Sequence, residues 1–225
     1  MLLSNLYITS YRAGADVYPF FKRTLDLTLS LLALVLFSPM FILLIIAIKV
    51  DSKGTIFFKQ KRVGRYKSYF NIIKFRTMRS DTPKDMPTHL VENPEQYITR
   101  VGRFMRKTSL DELPQIINIL KGEMSIIGPR PALWNQYDLI EERDKYGAND
   151  VLPGLTGWAQ INGRDMLRID TKAMLDGEYV QKMNLKFDLK CLYGTLITVI
   201  KSDGVLEGGT GKLQGKNAIL ARSKH

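Results

Sequence analysis

Asp111 and Glu112 are adjacent carboxylates within the stretch Arg106-Lys-Thr-Ser-Leu-Asp-Glu-Leu-Pro-Gln115, directly after a basic cluster. Acids in such a pair can act as a nucleophile or ligate a metal ion. Ser109 stands three residues before Glu112, the spacing of a capping box. Pro114 with Ile116, Ile117, Ile119 and Leu120 predicts a helix over 113–120. Both acids then lie in or just before a first turn, where free backbone N–H groups and the helix dipole favour the ionised form. Asp and Glu are also ordinary first-turn stabilisers, so this stretch alone leaves both readings open.

The cations nearest in character are Lys74 and Arg76, two apart in the predicted strand Phe70-Asn-Ile-Ile-Lys-Phe-Arg-Thr-Met78 and so on one face. They suit a phosphate clamp; a solvated strand face is the alternative. An amphipathic helix predicted over 97–107 carries Arg100, Arg103, Arg106 and Lys107 as a basic ridge leading to the acids. Gly128-Pro-Arg-Pro131 is a rigid turn that fixes Arg130. Residues 153–164 read as a Gly-rich loop presenting Asn162 and Arg164, and Asp176 and Asp188 fall on predicted helices over 171–183 and 187–201. Neither a P-loop nor a G-x-G-x-x-G fingerprint is present.

These residues must be positioned by a chain of 225 residues, enough for one sizeable core with appendages. A net charge of +11 points to an anionic partner: nucleic acid, a phosphate-bearing substrate or an anionic membrane face. The lone Cys191 excludes an internal disulfide framework, and His89 and His225 as the only histidines exclude a histidine-rich metal site. From Leu27 to Ile48 there is no charge, and a straight helix of that length runs about 33 Å, enough to cross the hydrocarbon layer. Ser38-Pro39 interrupts it, and basic residues flank both ends, Lys22 and Arg23 before, Lys49 and Lys53 after. A helix broken there can re-enter the leaflet it came from, with the Ser38 hydroxyl meeting freed backbone groups, or span with a kink; both readings stand. A hairpin around Gly64, a loop over 80–96, a short strand over 124–127 and a helix over 132–146 complete the expected elements.

Five motifs occur in order: Lys22-Arg23-x-x-Asp26 before the broken segment, Lys74-Phe-Arg-Thr-Met78, Ser109–Gln115, Gly128-Pro-Arg-Pro131 and Pro153-Gly-Leu-Thr-Gly157. Together, over residues 22–203, they resemble the bacterial sugar transferases, the small monotopic phosphoglycosyl transferases that initiate capsule, exopolysaccharide or glycoprotein glycans. The resemblance implies an α+β fold: an N-terminal re-entrant membrane helix and a helix-rich cytoplasmic domain with a small β-hairpin. The expected organisation is a leader over 1–21, the membrane helix over 22–50, the catalytic domain over 51–203 and a Gly-rich basic tail over 204–225.

The implied activity is transfer of a sugar-1-phosphate from a UDP-sugar to undecaprenyl (polyprenyl) phosphate, with release of UMP, through a covalent aspartyl-phosphosugar. By the same likeness Asp111 is the nucleophile and Glu112 helps bind Mg²⁺. Lys74, Arg76, Arg106, Asp176 and Asp188 belong to the active site, and Arg130, Asn162 and Arg164 meet nucleotide or phosphates. The expected location is the bacterial inner membrane, with the catalytic domain on the cytoplasmic face. Expected partners are the UDP-sugar, polyprenyl phosphate, membrane lipid and a further copy of the chain, and not nucleic acid. Capsule-type members look most similar around Gly128 to Glu141, which implies an N-acetylated deoxy-amino sugar. Two rivals fit composition: a membrane-anchored basic module that binds anionic lipid or nucleic acid without catalysis, and a phosphatase acting on lipid-linked phosphate. Against the first, Asp111, Glu112, Asp176 and Asp188 would repel a polyanion unless a cation intervened.

Overall fold

Two helices open the computed structural model, which describes residues 17–80, 82, 94–163 and 166–201: α1 (Val17–Leu36) and α2 (Ser38–Asp51), bent by 61° about Phe37. Pro39 has no N–H for the carbonyl of Val35 four residues earlier, and the Ser38 hydroxyl donates to that oxygen at 2.8 Å, as the Ser-Pro pair predicts. Around the bend Leu31, Leu32, Val35, Leu36, Ile42, Leu43 and Ile46 are each more than half exposed. Among the described residues no single helix is long and apolar enough to cross a membrane; α1 and α2 meet the requirement only as a bent pair. Helix α1 starts inside the stretch expected as a leader. Residues 1–16, most of the loop over 80–96, and the tail lie outside the described residues.

Charged groups fasten both ends of the bent pair to the rest of the protein. Near the start of α1, Lys22 Nζ lies 2.6 Å from Asp188, Arg23 donates to the carbonyl of Ile119 at 2.8 Å, and buried Asp26 accepts from the Ile126 amide at 3.0 Å. At the end of α2, Asp51 accepts from the amide of Val101 at 3.0 Å, and Arg76 donates to the carbonyls of Ser52 and Lys53, each at 2.7 Å.

Strands β1 (Phe57–Val63) and β2 (Tyr69–Phe75) form the expected antiparallel hairpin. Its left-handed backbone falls on Tyr66 and Lys67 rather than on Gly64, held where the Tyr66 amide donates to Asn149 O at 2.7 Å. Phe75 is buried between Phe41 of α2 and Phe57, ring centroids 5.5 and 5.6 Å away, over Met105 of helix α3 (Arg100–Thr108). The other face of β2 sets Phe70 and Ile72 on Ile119 of α4 (Gln115–Lys121), which ends at Gly122 with φ 87°, as the sequence predicts.

Asn118 of α4 completes the outer edge of β2. Its Oδ1 accepts from the Ile73 amide at 3.0 Å and its Nδ2 donates to Asn71 O at 2.8 Å, supplying what a third strand would. Beyond α4, β3 (Ser125–Ile127) pairs in parallel with β4 (Gly154–Thr156), with α5 (Tyr137–Asp144) on the crossover between them. The helix expected over 132–146 is shorter because Ala132 and Leu133 extend along β1: Val63 N donates to Ala132 O at 2.9 Å. The loop expected over 153–164 is instead β4 and a short helix α6 (Trp158–Ile161). Helices α7 (Ile169–Lys182) and α8 (Leu185–Lys201) follow, giving an α+β fold, rich in helix with a small two-stranded antiparallel sheet.

Asn118→Ala strands the buried Ile73 N–H, costing about 1–3 kcal/mol, and removes the donor to the Asn71 carbonyl. The purified protein is expected to unfold at a markedly lower temperature, with β2 amide exchange rising first; an unchanged midpoint would deny Asn118 this edge-pairing role.

Candidate active site

The acids sit between two helices that approach the hairpin closely. Thr99 caps α3, its hydroxyl accepting from Gly102 N at 2.9 Å. A β-carbon at Gly102 would lie 2.0 Å from the carbonyl oxygen of Thr77, so only glycine lets α3 reach the end of β2. That approach brings Arg106 Nε to 2.9 Å from the Thr77 hydroxyl. Helix α3 closes on Ser109, left-handed at φ 56°, and one 3₁₀ turn over Leu110–Glu112 carries Asp111 and Glu112 before α4. The expected capping box does not form, since the Ser109 side chain makes no capping hydrogen bond and Glu112 turns to stronger, charged partners.

Those partners are Lys74 and Arg130. Lys74 Nζ and Arg130 Nη2 each lie 2.7 Å from Glu112 Oε1, and Arg130 Nη1 is 3.4 Å from Oε2. Burial opposes a charge on Glu112, yet Arg130 and Lys74 outweigh it and hold this carboxyl well below the usual range. At Asp111 burial wins: it pushes the carboxyl up, Lys74 pulls against it, and the charge of Glu112 adds to the rise. Arg106 and Arg130 also pull the Asp111 carboxyl down. Lys74 and Arg130, rather than the N-terminus of α4, hold Glu112 ionised, while burial raises Asp111, which corrects the expectation from helix-start chemistry. Glu112 is thus a fixed anion, while Asp111 is less well solvated and sits in the field of three cations.

The remaining expected site residues separate into groups. Arg76 is buried and donates to the carbonyls of Ser52 and Lys53 that follow α2, whereas Lys74 reaches Glu112. Asp188 accepts from Tyr18 at 2.7 Å, Lys22 at 2.6 Å and Tyr179 at 2.8 Å, which ties α8 to α1. Asp176, 1% exposed, pairs with Arg143. Asn162 is exposed and donates to Trp158 O at 2.8 Å; Arg164 lies outside the described residues. Sequence reading missed Arg62, Asn118 and Arg143. Asn118 leaves a trace, a polar residue inside the apolar stripe of α4, whereas Arg143 in Glu-Glu-Arg-Asp looks like any solvated helix face.

Strands β3 and β4 are parallel, and their carboxyl ends lead into Gly128-Pro-Arg130 and Gly157-Trp158, the place where open α/β units bind ligands. Among the described residues no group of three or more His, Cys, Asp or Glu could hold a metal ion. Two adjacent carboxylates do suit Mg²⁺, which keeps water and takes ligand phosphates. Glu112 Oε2, whose Arg130 contact is long at 3.4 Å, retains lone pairs for it.

A family model described as bacterial sugar transferase matches residues 17–202. The chain belongs to that family. This sugar transferase is 39% identical over 184 residues to EpsL of Bacillus subtilis, named an uncharacterized sugar transferase, covering 82% of this chain and 89% of EpsL. It is 39% identical over 188 residues to the undecaprenyl-phosphate glucose phosphotransferase of Komagataeibacter xylinus, covering 78% of this chain but 35% of that protein. A UDP-glucose:undecaprenyl-phosphate glucose-1-phosphate transferase of Escherichia coli is 39% identical over 183 residues, again 78% of this chain, and 39% of its own length. The chain thus spans little more than a third of the last two relatives.

Cys191 lies buried beside Asp188, and burial together with that carboxylate pushes its thiol up to about 12 against the pull of Lys22. At pH 8 the folded sugar transferase is expected to resist iodoacetamide and to react only as fast as it unfolds. Rapid labelling would mean that α8 detaches from α1.

Proposed function

We propose that this sugar transferase moves a sugar-1-phosphate from a UDP-sugar to undecaprenyl (polyprenyl) phosphate and releases UMP. The observation that carries the reading is the split acid pair, Glu112 neutralised by Lys74 and Arg130, and Asp111 beside it under three positive charges. An Asp111 oxygen attacks the β-phosphorus, the bond to the bridging oxygen breaks, and UMP leaves with the electron pair. A phosphate oxygen of the lipid then attacks the same phosphorus, freeing Asp111 and forming a polyprenyl-diphosphate-sugar. Arg106 and Arg130 orient the phosphoryl oxygens and offset the charge that builds on them. Glu112, with the donor phosphates, would hold Mg²⁺, which when bound supplies further neutralisation of that charge.

The same reading places the protein at the bacterial inner membrane, with the catalytic part on the cytoplasmic face. Both ends of the bent helix pair are fastened to one domain, which supports re-entry, since a spanning segment leaves its ends on opposite sides. Each Leu or Val fully buried is worth about 1.5–3 kcal/mol, so the exposed side chains around the bend favour lipid by several kcal/mol. On α8, Leu185, Leu189, Leu192, Tyr193 and Leu196 form a second exposed apolar stripe, suited to lying on the bilayer surface.

Incubation of the protein in detergent with a panel of UDP-sugars, glucose and N-acetylated deoxy-amino sugars included, tests the chemistry. Without lipid phosphate, one donor is expected to give stoichiometric UMP and a sugar-phosphate adduct on the peptide holding Asp111. Asp111→Asn is expected to lose both, at least 10³-fold. Near-normal turnover in that variant, or release of inorganic phosphate instead of UMP, would overturn the reading. Glu112→Gln is expected to weaken the Mg²⁺ dependence.

Topology is checked with single cysteines at Thr24, in α1 before the bend, and Lys67, after α2, both exposed. An impermeant maleimide added to intact cells should label neither. Labelling of one alone would mean that the pair spans.

A further inference from the structure

We propose that Arg143 and Asp176 are a positioning pair that fixes the backbone of Arg130, so that its guanidinium is held on Glu112 and toward the donor phosphates. This inference rests on the function proposed above. The Gly128–Pro131 turn has each of its last three carbonyls occupied. Pro129 O accepts from Gly154 N at 2.9 Å, Arg130 O from Arg143 Nη2 at 2.9 Å, and Pro131 O from Arg62 Nη1 at 3.1 Å. Two prolines restrict φ, and the Gly128 amide donates to Thr156 O at 2.8 Å. The Arg130 side chain leaves this fixed turn and ends on Glu112.

Arg143 makes its contact from within a buried ion pair. Its side chain is 4% exposed and that of Asp176 1%, and Asp176 Oδ2 takes both Nε, at 2.9 Å, and Nη2, at 2.6 Å. Nη2 is the same nitrogen that reaches Arg130 O. Asp176 Oδ1, also buried, has no hydrogen-bond partner among the described residues. A buried pair with an orphaned oxygen is a poor source of stability, since well-packed apolar side chains in its place often do as well or better. The arrangement makes sense as a device for orientation. Asp176 holds the guanidinium plane, the plane holds a carbonyl, and that carbonyl belongs to the residue that pairs with Glu112. Asp176 therefore serves the site through Arg143, as a positioning residue.

The test is a double-mutant cycle with Arg143→Lys, Arg130→Lys and both together, read by UMP release. Lysine keeps the charge opposite Asp176 but loses the fork that reaches Arg130 O. Arg143→Lys is expected to lower kcat roughly 10- to 100-fold, the penalty of a misplaced group, with KM for the UDP-sugar changed by less than about threefold. The double variant should be no slower than Arg130→Lys alone, because Arg143 acts through Arg130; losses that multiply would overturn the proposal. A second variant, Arg143→Met with Asp176→Leu, keeps an apolar pair in the same space. It is expected to unfold within a few degrees of the wild type while retaining the kcat loss, and wild-type kcat there would also overturn it.

If the wild-type protein releases UMP from no donor, the proposed function falls by itself. The positioning is then read from unfolding midpoints. Glu112→Gln should shift the midpoint less in the Arg143→Lys background than in the wild type, and equal shifts would sink the idea.

Discussion

The charge on Glu112 is the constraint from which the arrangement follows. A carboxylate largely withdrawn from water is costly unless cations and hydrogen bonds replace its hydration. Here the replacements are Lys74, 38 residues earlier in the chain, and Arg130, 18 residues later. The hairpin, the turn that carries the acids and the turn after β3 must therefore meet at one point, and much of the core exists to let them. Gly102 removes the side chain that would keep α3 off β2, and Asn118 binds α4 along the edge of the strand that bears Lys74. Loss of either contact would move Lys74 or the acids, and Glu112 would be left a charge without its counter-ions.

A second set of charges does for the bent helix pair what Lys74 and Arg130 do for Glu112. Arg23 and Arg76 end on backbone carbonyls, and Asp26 and Asp51 on backbone amides. The guanidinium fork suits this work, since it satisfies carbonyls left open at helix ends. The carbonyls of Ile119 and Ser52 lie at the ends of α4 and α2, so each arginine caps one helix while joining it to another element. The bent helices leave the domain and return to it through polar contacts, and their apolar surface is confined to the part between. The acid pair lies on the turn just before α4, the helix that Arg23 caps, which fixes its place relative to the base of the bent helices.

The sequence was most legible where a residue acts locally. Ser38 and Pro39 predict both the break and the hydroxyl that repairs it, and Gly122 predicts the end of α4. The hairpin and the late helices follow from alternation and helical period, as does the proximity of Asp111 to Arg106. Illegible were features decided by partners distant in sequence. Strand β4 is three residues long, too short to alternate, and exists because β3 lies beside it. Arg76 sits one residue beyond β2, and its partners are carbonyls at the end of α2, 23 and 24 residues earlier in the chain. Ser109 has the right spacing for a capping box, but Glu112 had better partners than a backbone amide. Arg143 gave no signal at all, because an arginine among acids on a helix reads as solvated until its buried partner is known.

The net charge of +11 invited one inference, an anionic partner, and the structure divides that excess. Arg23, Arg62, Arg76 and Arg143 spend donors on the protein's own carbonyls, so they contribute charge to the total but little to a ligand. What faces the acids is Lys74, Arg106 and Arg130, three cations against two carboxylates. That near balance leaves the site one charge positive, whereas the diphosphate of a sugar nucleotide brings about two negative charges. With the donor in place the local sum would turn negative, and it grows less favourable as the phosphoryl group is transferred. A divalent cation held at Glu112 would restore the balance, so the count of charges supports the proposed use of Mg²⁺ as much as the type of ligand does.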